Sequence, residues 1–158
     1  MENPLAVMES DSLTWAEKLA FLTLRFRSIT DMPGGCPVQH GFKDGTYIRE
    51  ITIPAGTLFI GRPHRHGHLC KLISGTAVHV GEDGDVVRSA PFEVTTQPGY
   101  QMVIRALTDV VGRTYHPNPT ESRDVKALEL EAFHPVEEIL AVGRDVERRV
   151  AERVTHDR

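Results

Sequence analysis

Between residues 40 and 117, apolar positions come in short runs separated by turn residues. Eight runs read as strands: Tyr47 to Ile53, Thr57 to Ile60, Cys70 to Ser74, Thr76 to Val80, Val86 to Ser89, Phe92 to Thr95, Gln101 to Ala106 and Val110 to His116. The turns between them are marked by Lys43-Asp44-Gly45, Pro54-Ala55-Gly56, Ser74-Gly75, Glu82-Asp83-Gly84-Asp85 and Gln97-Pro98-Gly99. Glycine supplies the positive φ that tight turns need, and Pro, Asn and Asp favour turns for their own local reasons. Many short strands at this spacing predict an antiparallel sandwich or barrel. The gaps are too short for parallel crossovers, which take a dozen or more residues.

The two ends of the chain change period. From Leu13 to Ile29 the apolar residues Trp15, Leu19, Leu22 and Phe26 fall three and four apart, which predicts a helix. Ser12 or Ser10 is placed to cap it, and Met32-Pro33-Gly34-Gly35 to stop it. The stretch Leu128 to Phe133 is ambiguous. From Pro135 onward, Val136, Ile139, Leu140, Val146, Val150 and Val154 return to helical spacing, with Gly143 as an interruption. Pro135 suits a first helical turn, where its missing N–H is no loss. The expected division is therefore 1–39 leader and helix, 40–117 an all-β domain, and 118–158 a mainly helical extension.

Composition narrows the class. The 158 residues are 40% hydrophobic and 25% charged, with a formal net charge of -4, which points to one folded domain. The 13 Gly and 10 Pro argue against a helical bundle. No run approaches the roughly 20 apolar residues of a membrane span. The acidic first residues, Glu2, Glu9 and Asp11, do not resemble a secretory leader. With only Cys36 and Cys70, a disulfide scaffold is not expected, and free thiols fit a cytoplasmic location. Mild acidity opposes a nucleic-acid footprint. The arginines from Arg144 to Arg158 are interleaved with Glu147, Glu152 and Asp157, as on a solvated helix face.

The chemistry concentrates in Gly61-Arg62-Pro63-His64-Arg65-His66-Gly67-His68-Leu69-Cys70. On an extended strand, alternate residues share one face. His64, His66 and His68 would then present neutral imidazoles to one ion. A metal-free ligand pocket and solvent-facing histidines are the competing readings.

This segment resembles the first motif of the cupins, a family of small jelly-roll proteins. The matching order is Pro54-Ala55-Gly56, then His64-Arg65-His66, then Leu72-Ile73-Ser74-Gly75. Gln97-Pro98-Gly99-Tyr100-Gln101-Met102 takes the place of the second motif. Ala90-Pro91, Pro98-Gly99 and His116-Pro117 also resemble small cupin-like proteins of bacteriophage and bacterial genomes. The resemblance implies an all-β core of cupin-type double-stranded β-helix (jelly-roll barrel) over 40–117, with N- and C-terminal helical extensions. It further implies a divalent transition metal (Zn, Fe, Ni or Mn). Two departures from the family pattern stand out. Cys70 and Lys71 occupy the positions of the usual acidic ligand, so that His68 stands in for it or pairs with His66 while His64 lies at the rim. Met102 occupies the position of the second-motif histidine, which leaves His116 as a further nitrogen donor. The expected metal set is His64, His66, His68 and His116.

The function this implies is a metal-binding cupin, a dioxygenase or isomerase acting on a small polar or anionic molecule. The alternative is a non-enzymatic cupin: a ligand sensor, or a phage virion or assembly protein in the host cytoplasm. A metal-free variant of the enzyme would use a neutral histidine as base with Tyr100 or Tyr115 as acid, Asp109 being the nearest carboxylate. Arg62, Arg65, Lys71, Arg105 and Arg113 are candidates for the mouth of the site or for surface ion pairs. His79 points either into the barrel or out of it. Jelly-roll domains of this size often pair through sheet edges, so a homodimer is expected.

Overall fold

The computed structural model describes residues 4–29 and 36–156. The expected helix stop at 32–35 lies outside them. The chain forms two compact units, one made of its two ends (Met1–Pro33 with Pro135–Arg158) and one of Gly34–His134. Among the described residues no helix is long and apolar enough to cross a membrane.

The first unit holds three helices: α1 (Pro4–Glu9), α2 (Trp15–Ile29) and a third at Val136–His156. Thr14, not Ser12 or Ser10, caps α2. The Thr14 N–H donates to Glu17 Oε2 at 2.8 Å, and the Glu17 N–H donates to Thr14 Oγ1 at 3.2 Å, a reciprocal capping box. Gly143 does not interrupt the helix that carries it. A Cβ there would stand 2.5 Å from the Ala20 carbonyl oxygen, so the missing side chain lets two backbones cross closely. Val7, Phe21 and Val146 form the buried centre of this unit.

The second unit is all-β with one helix. Its strands are β1 (Val38–Lys43), β2 (Thr46–Ile53), β3 (Leu58–Ile60), β4 (Leu69–Ser74), β5 (Thr76–His79), β6 (Val86–Ser89), β7 (Phe92–Thr95), β8 (Val103–Ala106) and β9 (Val110–Pro117). The helix α3 (Val125–Ala132) follows, and Val136–His156 is then α4. One sheet runs β1-β2-β9-β4-β7 and the other β3-β8-β5-β6, all pairs antiparallel. With β1 set aside, this is the strand order of a jelly roll.

The expected closed barrel is not formed. The two sheets are open, each ending in an edge strand on both sides. The edge strands are too short or too committed to bridge the gap: β3 has three residues, and all three pair with β8. The core lies between the sheets, where Ile51, Ile53, Leu72, Ala77, Ile104, Ala106 and Val110 are buried together.

Side-chain alternation explains what reaches the interior. On β2, Tyr47 and Ile53 are fully buried and Ile51 nearly so, which turns Arg49 inward with them. On β9, Val110 and His116 are buried, and Thr114 shares their face. Tyr47 and His116 are direct register partners.

Candidate functional site

The three histidines between residues 63 and 69 do not lie on a strand. The chain makes a single bridge at His64 opposite Phe133, bends through Arg65 and His66, and enters β4 only at Leu69. The physical cause is Gly67. A Cβ at this position would stand 2.6 Å from the Thr96 carbonyl oxygen, so the loop packs directly on the segment after β7. Backbone bonds fix both shoulders of the bend. The His64 N–H donates to the Tyr100 carbonyl at 3.0 Å, the Gly99 N–H to the His64 carbonyl at 2.8 Å, and the Thr96 N–H to the His68 carbonyl at 2.9 Å.

This bend replaces the expected alternation. It folds His64 back onto His68, with ring centroids 3.7 Å apart, and sends His66 outward to an exposed position. His116 comes from β9 to complete the cluster, 5.5 Å from His64 and 5.2 Å from His68 between centroids. All three are buried, at 7%, 5% and 8% exposure for His64, His68 and His116. The Phe133 ring lies over His64 at 4.5 Å and beside His116 at 6.0 Å. Of the four histidines expected at a metal, three therefore converge, and His66 lines an adjoining cavity of about 620 Å³ together with Tyr47 and His116.

The imidazoles are held neutral. Burial pushes His64 down to about 3, helped by the positive charge that His68 and His116 would carry if protonated. Burial likewise lowers His116 to about 4, assisted by His68 and Arg49. His68 is lowered by burial, partly offset by its bond to the His66 backbone. A buried imidazole loses the hydration that stabilises its charged form, and the neutral ring is the form that ligates metals.

Hydrogen bonds orient two of the three rings. His68 Nδ1 lies 3.3 Å from the His66 carbonyl oxygen and 2.9 Å from Thr96 Oγ1. A carbonyl only accepts, so Nδ1 carries the proton and Nε2 keeps the lone pair. Thr96 is itself buried, and its hydroxyl also accepts the His68 N–H at 3.2 Å. His116 Nε2 lies 2.9 Å from Thr114 Oγ1, which leaves Nδ1 for another partner. His64 differs from both: Nδ1 and Nε2 are both buried and neither has a hydrogen-bond partner. Burying two polar nitrogens without partners is costly.

Neutral imidazole is a donor type that the metal implied by the sequence resemblance accepts, but the three rings as they stand are not arranged around one point. Imidazoles sharing one ion at about 2.0–2.1 Å have centroids roughly 5 Å apart, and both distances to His116 are of that size. The 3.7 Å stack of His64 on His68 is shorter. Among the described residues no group of three or more His, Cys, Asp or Glu is grouped so as to hold an ion.

Around the cluster, Arg62 is already a candidate from the sequence, and several other groups are not legible there. Arg49 reaches it from β2, with its guanidinium 5.2 Å from the Phe133 ring centre, and Arg62 lies 4.4 Å over the same ring. Glu129 on α3 pairs with both, at 3.1 Å to Arg62 and 3.8 Å to Arg49. The period-two pattern Tyr47, Arg49, Ile51, Ile53 was the available signal for Arg49. Nothing local marks Thr96 or Thr114.

The remaining candidates lie outside the ring cluster. Arg65 Nε donates to the Leu130 and Phe133 carbonyls at 3.1 and 2.9 Å, tying down the end of α3. Arg113 pairs with Glu50, and Lys71 with Glu93, while Arg105 is exposed. Asp109 accepts the Ala55 N–H at 2.9 Å. The Tyr115 ring carries the Lys71 ammonium at 5.6 Å. His79, Cys70, Tyr100 and Met102 line a small cavity of about 40 Å³ between the sheets, so His79 points inward.

No protein-family model matches the chain, and no curated protein matches it. Solved structures do. A cupin domain from Bordetella pertussis is 17% identical, with 52% of this chain and 93% of that one covered, at a TM-score of 0.41. A conserved protein with a double-stranded β-helix domain from Klebsiella pneumoniae is 13% identical over 59% of this chain and 85% of that one, at 0.46. An acetylacetone dioxygenase from Acinetobacter johnsonii is 18% identical over 53% of this chain and 60% of that one, at 0.44. The chain is weakly similar to cupin-fold proteins. That likeness is one of coarse architecture over little more than half of this chain.

Proposed function

We propose that the chain is a metal-binding cupin-like protein in which His64, His68 and His116 hold one divalent transition ion and present it to a small polar or anionic molecule. The observation that carries this reading is His64: a buried imidazole, held neutral, with two unpartnered nitrogens beside two further neutral imidazoles. An ion supplies the partner that burial denies it. The His66 carbonyl fixes the His68 tautomer, and Thr96 and Thr114 orient His68 and His116, the roles that outer hydrogen bonds play around metal-bound histidines. His66 stays at the rim. Such an ion, when bound, would supply Lewis acidity and open positions for a ligand. The chain itself supplies an apolar cover, Phe133, and a charged flank, Arg49 and Arg62. Occupancy requires the His64–His68 stack to open.

The test is equilibrium titration of chelator-treated protein with Zn²⁺ and Ni²⁺. One equivalent is expected to bind. His64→Ala, His68→Ala and His116→Ala should each weaken binding by more than about a hundredfold, and His66→Ala should leave it unchanged. Binding that follows His66 and ignores His64 would overturn the assignment.

A further inference from the structure

A second cavity, of about 210 Å³, has His64, Arg49 and Arg62 in its wall together with the apolar side chains Ile51, Phe59 and Met102. It is smaller than the roughly 300–1,000 Å³ of drug-sized sites, and its lining is two-natured. One part is hydrocarbon and sulfur. The other is a pair of guanidinium groups sharing a single carboxylate. Arg62 Nη2 donates to Glu129 Oε2 at 3.1 Å, but Arg49 Nε lies 3.8 Å from Glu129 Oε1, too far for a hydrogen bond. That Arg49 Nε is buried and without a hydrogen-bond partner.

Two cations against one anion leave one positive charge in a half-buried place. Arg49 was carried there by strand alternation, and burial lowers its affinity for its proton. A guanidinium whose charge is not met by a hydrogen-bonded carboxylate, in a low-dielectric wall, is a receptor for an oxyanion. The single net charge matches a monoanion better than a phosphate, and the apolar wall demands an apolar body behind the head group.

We propose that this cavity binds a small organic carboxylate with an apolar body, its head group on Arg49 and Arg62. The proposal names the ligand class of the site described above. It rests on the metal reading for the ligand's approach to His64, not for capture of the anion.

Calorimetry with benzoate, its neutral isostere benzamide, and inorganic phosphate tests this on chelator-treated and Zn²⁺-treated protein. Benzoate should bind both preparations, with benzamide and phosphate at least about tenfold weaker. Arg49→Met should weaken benzoate roughly tenfold to a hundredfold. Arg62→Met, at a more exposed position, gives the same readout if Arg49→Met does not fold. Glu129→Gln should tighten benzoate several-fold, because it removes the internal competitor for both guanidinium groups. A purely structural role for the arginines would not produce that gain. Equal binding of benzamide, indifference to both arginine substitutions, or weaker binding in Glu129→Gln would overturn the proposal. So would benzoate binding confined to Zn²⁺-treated protein and independent of Arg49. Protein that takes up no metal yet binds benzoate through Arg49 would leave this inference standing and remove the metal reading.

Discussion

At the scale of single residues, two side chains outside the ring cluster carry testable consequences. Thr96 meets both the main chain and the Nδ1 of His68. Thr96→Val keeps the shape but removes all three hydrogen bonds that the hydroxyl makes to His68. It should lower metal affinity about tenfold to a hundredfold and cost about 1–3 kcal/mol of stability for the buried groups left unpaired. Thr96→Ser should restore most of each, read by metal titration and by urea unfolding. The Cys70 thiol is the second case. Burial pushes it up to about 11 from an ordinary 9.0. At pH 8 it should alkylate far more slowly than a free thiol, and its rate should keep rising with pH past 9. The linkage sign is that of a raised acid: the folded state keeps a proton that the unfolded state releases, so stability falls as pH rises above 9. Rapid iodoacetamide labelling of Cys70 in folded protein at pH 8 would contradict the burial described.

At the scale of elements, two glycines set the geometry by what they lack. At Gly143, alanine brings a helix-propensity gain of about 1 kcal/mol against an overpacking cost of about 1–3 kcal/mol. The Cβ would meet a backbone oxygen at 2.5 Å, which cannot swing aside, so the cost should win. Gly143→Ala should therefore unfold at lower denaturant concentration, read by the fluorescence of Trp15, the single tryptophan, in α2 of the same unit. Gly67→Ala meets Thr96 at 2.6 Å. It should displace the bend that brings His64 and His68 to one place, a larger change than the opening of the stack that an ion needs, and so weaken metal binding, with little change in Trp15 fluorescence.

The same elements show what the pattern of residues made legible. All eight expected strands are present, because each is a short apolar run fenced by turn residues. β1 escaped notice: Val38-Gln39-His40-Gly41-Phe42-Lys43 is a half-exposed edge strand with no continuous apolar run. The strand-like reading of His64 to His68 failed because alternation assumes an extended chain, and the packing of Gly67 on a carbonyl 29 residues away bends it. The partnership of His116 with that segment was visible only as residue type, since its position depends on pairing between β4 and β9.

At the scale of the whole molecule, a modest net charge of -4 conceals a concentrated site. Three neutral imidazoles, two guanidinium groups and one carboxylate gather around Phe133 inside the β unit. The strand order follows a jelly roll, but the sheets stay open, and cavities of about 620 and 210 Å³ have His116 and His64, respectively, in their walls. On the reading proposed above, the histidine cluster holds an ion. That reading is tested most directly by a crystal of the full chain grown with Zn²⁺ and measured at the zinc absorption edge. The account predicts one anomalous peak about 2.0–2.2 Å from nitrogens of His64, His68 and His116, with the His64–His68 stack opened. A crystal with Zn²⁺ bound elsewhere and the stack intact, or with the ion held by His66, would contradict it.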